Sequence, residues 1–241
     1  TACAGNKETR PLPPPVSIEL PDNAIQGGMV KGRVPPGAIV MMHDENPAPA
    51  AVNTELQVAD NGRIVFGIGR DEVQAKVLDI RLGSGETIRK KISITTRQFD
   101  IENINGVPEN TVNPPPEIAA RIEREQAEVV SARLRNDSRR DFDTAFIWPL
   151  EGRVSGVYGS QRIYNGTPKS WHSGLDVAAL QGTPVKAPAA GIITFAKPDL
   201  YLTGGTILID HGMGISSNFL HLSRLDVKVG DRVEQGQVIG L

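Results

Sequence analysis

Short runs rich in Val, Ile and Leu recur along the first part of the chain, and turn residues separate them. The run at 86–95 alternates apolar and polar residues over its second half, as a half-buried strand does. Asp60-Asn61-Gly62 is typical of a β-hairpin turn. The pattern predicts an immunoglobulin-like β-sandwich domain over residues 16–112. Its predicted strands are 17–20, 29–34, 38–42, 56–59, 63–67, 75–82 and 86–95.

A helical pattern follows the three prolines at 114–116. Residues 117–140 contain no Gly or Pro and are rich in Glu, Arg, Ala and Gln, so we predict one long helix. Its narrow apolar face consists of Ile118, Ile122, Val129 and Ala132. Glu125 interrupts that face, and we interpret Glu125 and Arg139 as part of a solvated face. The segment 113–141 is then a proline-led connector lying on one or both domains. Alternatively, the helix packs near a cleft and restricts entry to it.

Short strand patterns return in the last part of the chain, which we interpret as a domain over residues 142–241. Dense β patterns at 192–196 and 206–211 predict a compact antiparallel sheet. We expect Trp148 in the core of this domain. The polar residues between 159 and 172 predict a loop that forms one wall of a groove, and residues 199–205 predict the opposite wall. The predicted fold class is therefore mainly β: a sandwich, a connector helix and an antiparallel sheet domain.

Charge and cysteine content narrow the classes of function. The chain has 26 basic and 28 acidic residues among 241 and a net charge of −2, so nothing indicates a nucleic-acid partner. No apolar run has the length of a membrane span. The only cysteine, Cys3, lies in Thr1-Ala2-Cys3-Ala4-Gly5, which is typical of a cleaved bacterial lipoprotein signal. We predict a lipid anchor at Cys3 and a proline-rich tether over 1–15; a chance cysteine is the alternative.

His172 and Asp176 are the first candidates for chemistry, since imidazole and carboxylate are both common ligands of zinc. In a straight strand this spacing separates the two Cα atoms by about 13 Å, too far for a shared metal. A bend is therefore required, and Gly174 between them permits one. The alternative is a surface histidine and aspartate on either side of a turn.

The surrounding motifs, taken in order, point to a known family. They are the stretches 152–159, 171–177, 182–191, 204–212, 219–223 and 229–240, of which all but 219–223 contain glycine. Together they resemble the lysostaphin/LytM-type zinc endopeptidases of peptidase family M23, from about residue 146 to residue 241. The resemblance implies His172 and Asp176 as zinc ligands and a zinc-bound water as nucleophile. It implies His221 as a catalytic residue that orients or deprotonates this water or stabilises the oxyanion, and His211 as structural.

The family's third zinc ligand is the second histidine of a His-x-His motif, which this sequence lacks. We therefore expect the chain to be truncated and the motif to lie beyond Leu241. The resemblance implies a zinc endopeptidase that cuts peptide bonds of peptidoglycan. The expected location is the bacterial cell envelope, as a periplasmic protein or a membrane-anchored lipoprotein. The alternative is a non-catalytic M23-like protein that binds the cell wall and regulates other hydrolases.

Overall fold

The computed structural model describes residues 17–107 and 114–241. The predicted tether 1–15, its candidate anchor Cys3 and Asn113 at the start of the connector lie outside the described residues. The chain divides into two compact units, Thr1–Thr96 and Arg97–Leu241. It is mainly β with one long helix, which confirms the predicted fold class. The predicted domain boundaries at 112 and 141 remain predictions.

The first unit consists of two sheets around one core. Its strands are β1 (Asn23–Ile25), β2 (Met29–Arg33), β3 (Ile39–Asp44), β4 (Thr54–Leu56), β5 (Arg63–Gly67), β6 (Lys76–Arg81) and β7 (Thr87–Thr95). One sheet has the order β1-β7-β6-β3-β4, with β1 parallel to β7, and the other pairs β2 with β5. Both sheets contribute to the core, which includes Val30, Val40, Ile64, Phe66, Leu78, Ile80 and Ile92.

Six of the seven predicted strands overlap an observed one in this unit. The segment 17–20 contributes only an isolated bridge between Glu19 and Arg33. Strand β1 was not predicted, because its three residues are too few to show a period.

The second unit has one helix and many short strands. They are β8 (Ile101–Ile104), α1 (Pro116–Ala132), β9 (Arg153–Gly156), β10 (Gln161–Tyr164), β11 (Thr167–Pro168), β12 (Asp176–Ala178), β13 (Val185–Lys186), β14 (Gly191–Leu200), β15 (Gly204–Asp210), β16 (Ser216–Leu222), β17 (Arg232–Val233) and β18 (Val238–Gly240), with a 3₁₀ turn at Asp141–Asp143. The four-stranded sheet β16-β15-β14-β17 is antiparallel, as expected. Smaller sheets are β11-β10-β8, β12-β9 and β13-β18. The core includes Val185, Ile193, Ile207, Ile209, Val233 and Ile239.

Helix α1 ends at Ala132, whereas the sequence predicted a helix to residue 140. The carboxylate of Asp137 accepts the backbone N–H of Arg139 at 3.1 Å. Such local side-chain bonds offer the backbone an alternative to the helix. The predicted apolar face is partly confirmed, since Val129 and Ala132 pack against a buried cluster that contains Phe195. No helix in 17–107 or 114–241 is long and apolar enough to cross a membrane.

The expectation that Glu125 is only solvated is wrong. Its Oε2 accepts the backbone N–H of Tyr201 at 2.7 Å. Arg121, one turn earlier, donates from Nη2 to the carbonyl of Asp199 at 2.7 Å. Helix α1 therefore supports the turn between β14 and β15, which belongs to one predicted groove wall.

The expectation that Trp148 lies in the core is also wrong, since it is 64% exposed. The buried aromatic residue near the start of this region is Phe142, whose backbone N–H donates to the carbonyl of His211 at 3.2 Å. Trp148 is outside the strands, next to Pro149, which lacks a backbone N–H for a ladder.

Candidate metal centre

The structure brings His172 and Asp176 together. The chain bends at Gly174 between them, as the sequence predicted, and Asp176 begins β12. The His172 Nε2 atom lies 3.0 Å from the Asp176 Oδ1 atom. The two predicted ligands are therefore in contact, and their role as zinc ligands remains a prediction.

The backbone around His172 fixes the imidazole. His172 donates its backbone N–H to the carbonyl of Ser160 at 2.8 Å and accepts the N–H of Gly159 at 2.8 Å. The ring atom Nδ1 lies 3.1 Å from the carbonyl oxygen of Val157. Because a carbonyl can only accept, Nδ1 carries a proton, and Nε2 is the ring nitrogen that faces Asp176. The 3.0 Å contact between Nε2 and Oδ1 is satisfied either by a proton on Nε2, as a hydrogen bond, or by a metal ion that both atoms ligate.

The donor set fits zinc. Two ligand atoms on a tetrahedral zinc with bonds of about 2.0–2.2 Å lie about 3.3–3.6 Å apart. The 3.0 Å between Nε2 and Oδ1 is a few tenths of an ångström shorter than this separation. The two side chains are 16% and 45% exposed, so the pair is accessible from solvent. Within 17–107 and 114–241, no cluster of three or more His, Cys, Asp or Glu side chains is arranged to hold a metal.

A glycine allows strand β9 to pass beside Asp176. Gly156 pairs with Asp176 across β9 and β12. A Cβ atom at position 156 would lie 2.4 Å from the Asp176 Oδ2 atom and 3.0 Å from its Cγ. Any larger residue at position 156 would therefore displace the candidate ligand.

Aromatic side chains pack beside the pair. Tyr158 contacts Trp171 edge to face, with ring centroids 5.3 Å apart, and contacts Phe99 at 6.4 Å. Gly159 has a φ of +89°, and a Cβ there would lie 2.1 Å from the Phe99 ring. Phe99 therefore packs directly on the backbone that leads to His172.

The stretch 160–170 is a hairpin, and the prediction of a loop there is wrong. Strands β10 and β11 pair in antiparallel fashion through Ile163 and Tyr164. Asn165 and Gly166 connect them with φ values of 49° and 81°. Asn-Gly with two positive φ angles is the preferred two-residue hairpin turn. The sequence could therefore have predicted this hairpin.

Arg162 is a residue of the site that sequence reasoning missed. Its Nη2 atom lies 3.3 Å from the Asp176 Oδ2 atom, and its Nε atom lies 3.3 Å from the Glu102 Oε2 atom. Glu102 is 60 residues away in the chain, so no local pattern could have predicted this contact.

His221, the predicted catalytic residue, lies near the end of β16, the edge strand of the four-stranded sheet. Its backbone N–H donates to the carbonyl of Thr203 at 2.8 Å. Its φ of 61° is uncommon for a residue with a side chain, although histidine is enriched there. The side chain is exposed and, among residues 17–107 and 114–241, forms no hydrogen bond or ion pair with His172, Asp176 or any other residue. Its catalytic role remains a prediction.

His211 has the opposite environment. It is fully buried, with Nδ1 2.6 Å from the carbonyl of Ala190 and Nε2 2.8 Å from the hydroxyl of Ser217. Burial lowers the pKa of His211. With both ring nitrogens engaged, this histidine fits the structural role that the resemblance implies.

Comparison with known proteins finds a family match in the last part of the chain. The model of Peptidase family M23 matches residues 170–241. Cell division protein DipM of Caulobacter vibrioides is 35% identical over 95 residues, which cover 39% of this chain and 15% of that protein. Peptidoglycan DD-endopeptidase ShyA of Vibrio cholerae is 34% identical over 90 residues, 37% of this chain and 21% of that protein. The chain therefore matches only a small part of these relatives.

A solved structure extends the similarity to most of the chain. A crystal structure assigned to peptidase M23 of Pseudomonas aeruginosa has a TM-score of 0.63 and 27% identity, covering 90% of this chain and 81% of that one. The family match includes His172, Asp176 and His221. Residues 170–241 are therefore a peptidase M23 domain.

Proposed function

We propose that the chain is part of a zinc-dependent endopeptidase that hydrolyses peptide bonds of peptidoglycan. The observation that carries the proposal is the contact of His172 Nε2 with Asp176 Oδ1, two common zinc-ligand atoms 3.0 Å apart within the residues that match Peptidase family M23. The substrate class is supported by the Vibrio cholerae relative, whose name is peptidoglycan DD-endopeptidase. Because peptidoglycan lies in the bacterial cell envelope, that is the proposed location of the protein. A lipid anchor at Cys3 is part of the proposal.

His172 and Asp176 would hold the zinc ion. When bound, zinc acts as a Lewis acid on the scissile carbonyl and makes hydroxide available near neutral pH. The carbonyl of Val157 keeps the proton on Nδ1 of His172, so that Nε2 presents its lone pair. Within residues 17–107 and 114–241, no group hydrogen-bonds to the imidazole of His221. It is suited to take a proton from the attacking water and to return one to the leaving amine nitrogen.

The turn between β14 and β15 would contact the substrate peptide. Tyr201 and Leu202 at this turn are 44% and 53% exposed and offer apolar surface to a bound chain. Glu125 and Arg121 of α1 hold the turn in place.

The experiment that tests the proposal is digestion of purified sacculi by the zinc-loaded intact protein, with released muropeptides measured by chromatography. His172→Ala should abolish release. It should also weaken zinc binding by more than about 100-fold, since loss of even an outer-shell partner weakens it about 10- to 100-fold. His43→Ala is the matched control. This histidine lies in the first unit, hydrogen-bonded to the carbonyl of Asp44 at 2.7 Å, and its loss should leave release unchanged.

Undiminished release by the His172→Ala protein would sink the endopeptidase proposal. A wild-type protein that binds sacculi but releases no muropeptides would instead favour the non-catalytic wall-binding alternative.

A further inference from the structure

The two carboxylate oxygens of Asp176 have different partners. Oδ1 lies 3.0 Å from His172 Nε2, and Oδ2 lies 3.3 Å from Nη2 of Arg162. The guanidinium therefore occupies one oxygen and leaves the other directed at the histidine. A carboxylate held in this way offers a metal a single, fixed ligand atom.

Arg162 is itself fixed by a strand from another part of the chain. In the parallel pairing of β8 with β10, Glu102 is the direct partner of Arg162. The Arg162 Nε atom lies 3.3 Å from the Glu102 Oε2 atom. The side chains of Arg162 and Glu102 are 29% and 34% exposed, so water screens this pair only in part.

The backbone holds β8 in register. Gln161 donates its N–H to the carbonyl of Asp100 at 2.8 Å, and Asn165 donates to that of Ile104 at 3.0 Å. Phe99, just before β8, packs on Gly159. The position of Glu102 relative to Arg162 is thus determined by several contacts on both sides of it.

We propose that Arg162 is a positioning residue for the candidate ligand Asp176 and that Glu102 positions Arg162. The inference rests on the proposed function, because it needs a metal at His172 and Asp176. A lone guanidinium next to a cation site would repel the cation, and the carboxylate of Glu102 offsets that charge. Arginine is required because its planar fork reaches two carboxylates at once with Nε and Nη2, which a lysine ammonium cannot do in a fixed geometry.

The test is a zinc titration of the demetallated intact protein against a chromophoric chelator, with Co²⁺ absorption as a second readout. Arg162→Gln should weaken zinc affinity about 10- to 100-fold, the usual effect of losing an outer-shell partner. Arg162→Lys should not restore the affinity, and the Co²⁺ spectrum of both variants should differ from that of the wild type. Glu102→Gln should weaken affinity less, because Arg162 remains but its charge is no longer offset.

The matched control is Arg224→Gln. Arg224 forms a similar pair with Asp226, at 2.7 Å, with no contact to the candidate metal centre in the described part of the chain. The zinc affinity of the Arg224→Gln protein should equal that of the wild type. Melting temperatures of all variants show whether each protein is folded.

Three outcomes separate this inference from the proposed function. Wild-type zinc affinity in the Arg162→Gln protein would overturn the inference alone. If that variant does not fold, an unchanged affinity and Co²⁺ spectrum in the Glu102→Gln protein overturns it instead. A wild-type protein that binds no zinc would contradict the proposed function and the inference with it.

Discussion

Two histidine–aspartate pairs lie in the second unit. His172 with Asp176, the open pair, has one ring nitrogen and one carboxylate oxygen facing each other, 3.0 Å apart, with Asp176 45% exposed. Asp210 with His211, the closed pair, is buried, and both nitrogens of His211 already have hydrogen-bond partners. The residue types are the same in both pairs. The pairs differ in which ring nitrogens and carboxylate oxygens are available to bind a metal.

In the closed pair, both carboxylate oxygens of Asp210 also have partners. Asp210 is 4% exposed and is ion-paired with Arg139 and, at 3.3 Å, with Arg135. The backbone N–H of Gly212 donates to its other oxygen at 3.2 Å. The expectation that Arg139 is a solvated residue is therefore wrong. A metal requires uncommitted ligand atoms that solvent can reach, and in this comparison only the open pair provides them.

The largest predicted effect tests whether a third histidine belongs with the open pair. His221→Asn should lower the rate of muropeptide release about 10²- to 10⁴-fold, because an amide cannot transfer the proton. Asparagine tolerates the φ of 61° at this position, so the melting temperature should not change. Initial rates of muropeptide release from purified sacculi check the prediction. A rate equal to that of the wild type would mean that His221 is not catalytic.

The second prediction compares the removal of the aspartate side chain from each of the two pairs. Asp210→Ala should lower the free energy of unfolding by about 1–3 kcal/mol, because it removes a buried acceptor of the Gly212 N–H and of the half-buried Arg139, which keeps only Asp137 and Asp141. Asp176→Ala should lower it by less than about 1 kcal/mol, as for a half-exposed residue, while abolishing zinc retention. Urea unfolding of the zinc-free proteins measures both. Equal losses of stability would remove the distinction between the pairs.

The third and smallest effect concerns pH. Burial lowers the pKa of His211 in the folded protein, whereas the pKa of a histidine in an unfolded chain is about 6.5. Below that pH the unfolded chain binds a proton that the folded one does not, so stability is lost as pH falls, by at most about 1.4 kcal/mol per pH unit. His211→Gln cannot titrate and should flatten the profile of unfolding free energy between about pH 5 and 7. Identical slopes for the two proteins would show that burial does not govern this histidine.

Local features of the fold and site were predictable from the sequence. Alternation along 86–95 predicted β7, and the spacing of His172 and Asp176 around Gly174 predicted a bend that joins them. Each of these depends on residues within one short segment. The Asn165-Gly166 turn was equally local, and its signal was present but missed.

Contacts between distant segments were not predictable in this way. Glu102 reaches Arg162 through a parallel pairing of β8 with β10, which no sequence period encodes. After the end of α1, Arg139 is hydrogen-bonded to Asp137 and ion-paired with Asp210, and the second contact spans 71 residues. The role of His221 is still a prediction, because the described contacts do not join it to the open pair.

The central claim is that the open pair, and not the closed pair, holds the metal. Diffraction from zinc-loaded crystals of the intact protein at the zinc absorption edge tests this most directly. The account predicts an anomalous peak bonded to Nε2 of His172 and Oδ1 of Asp176. An anomalous peak elsewhere, with none between these two atoms, would contradict it.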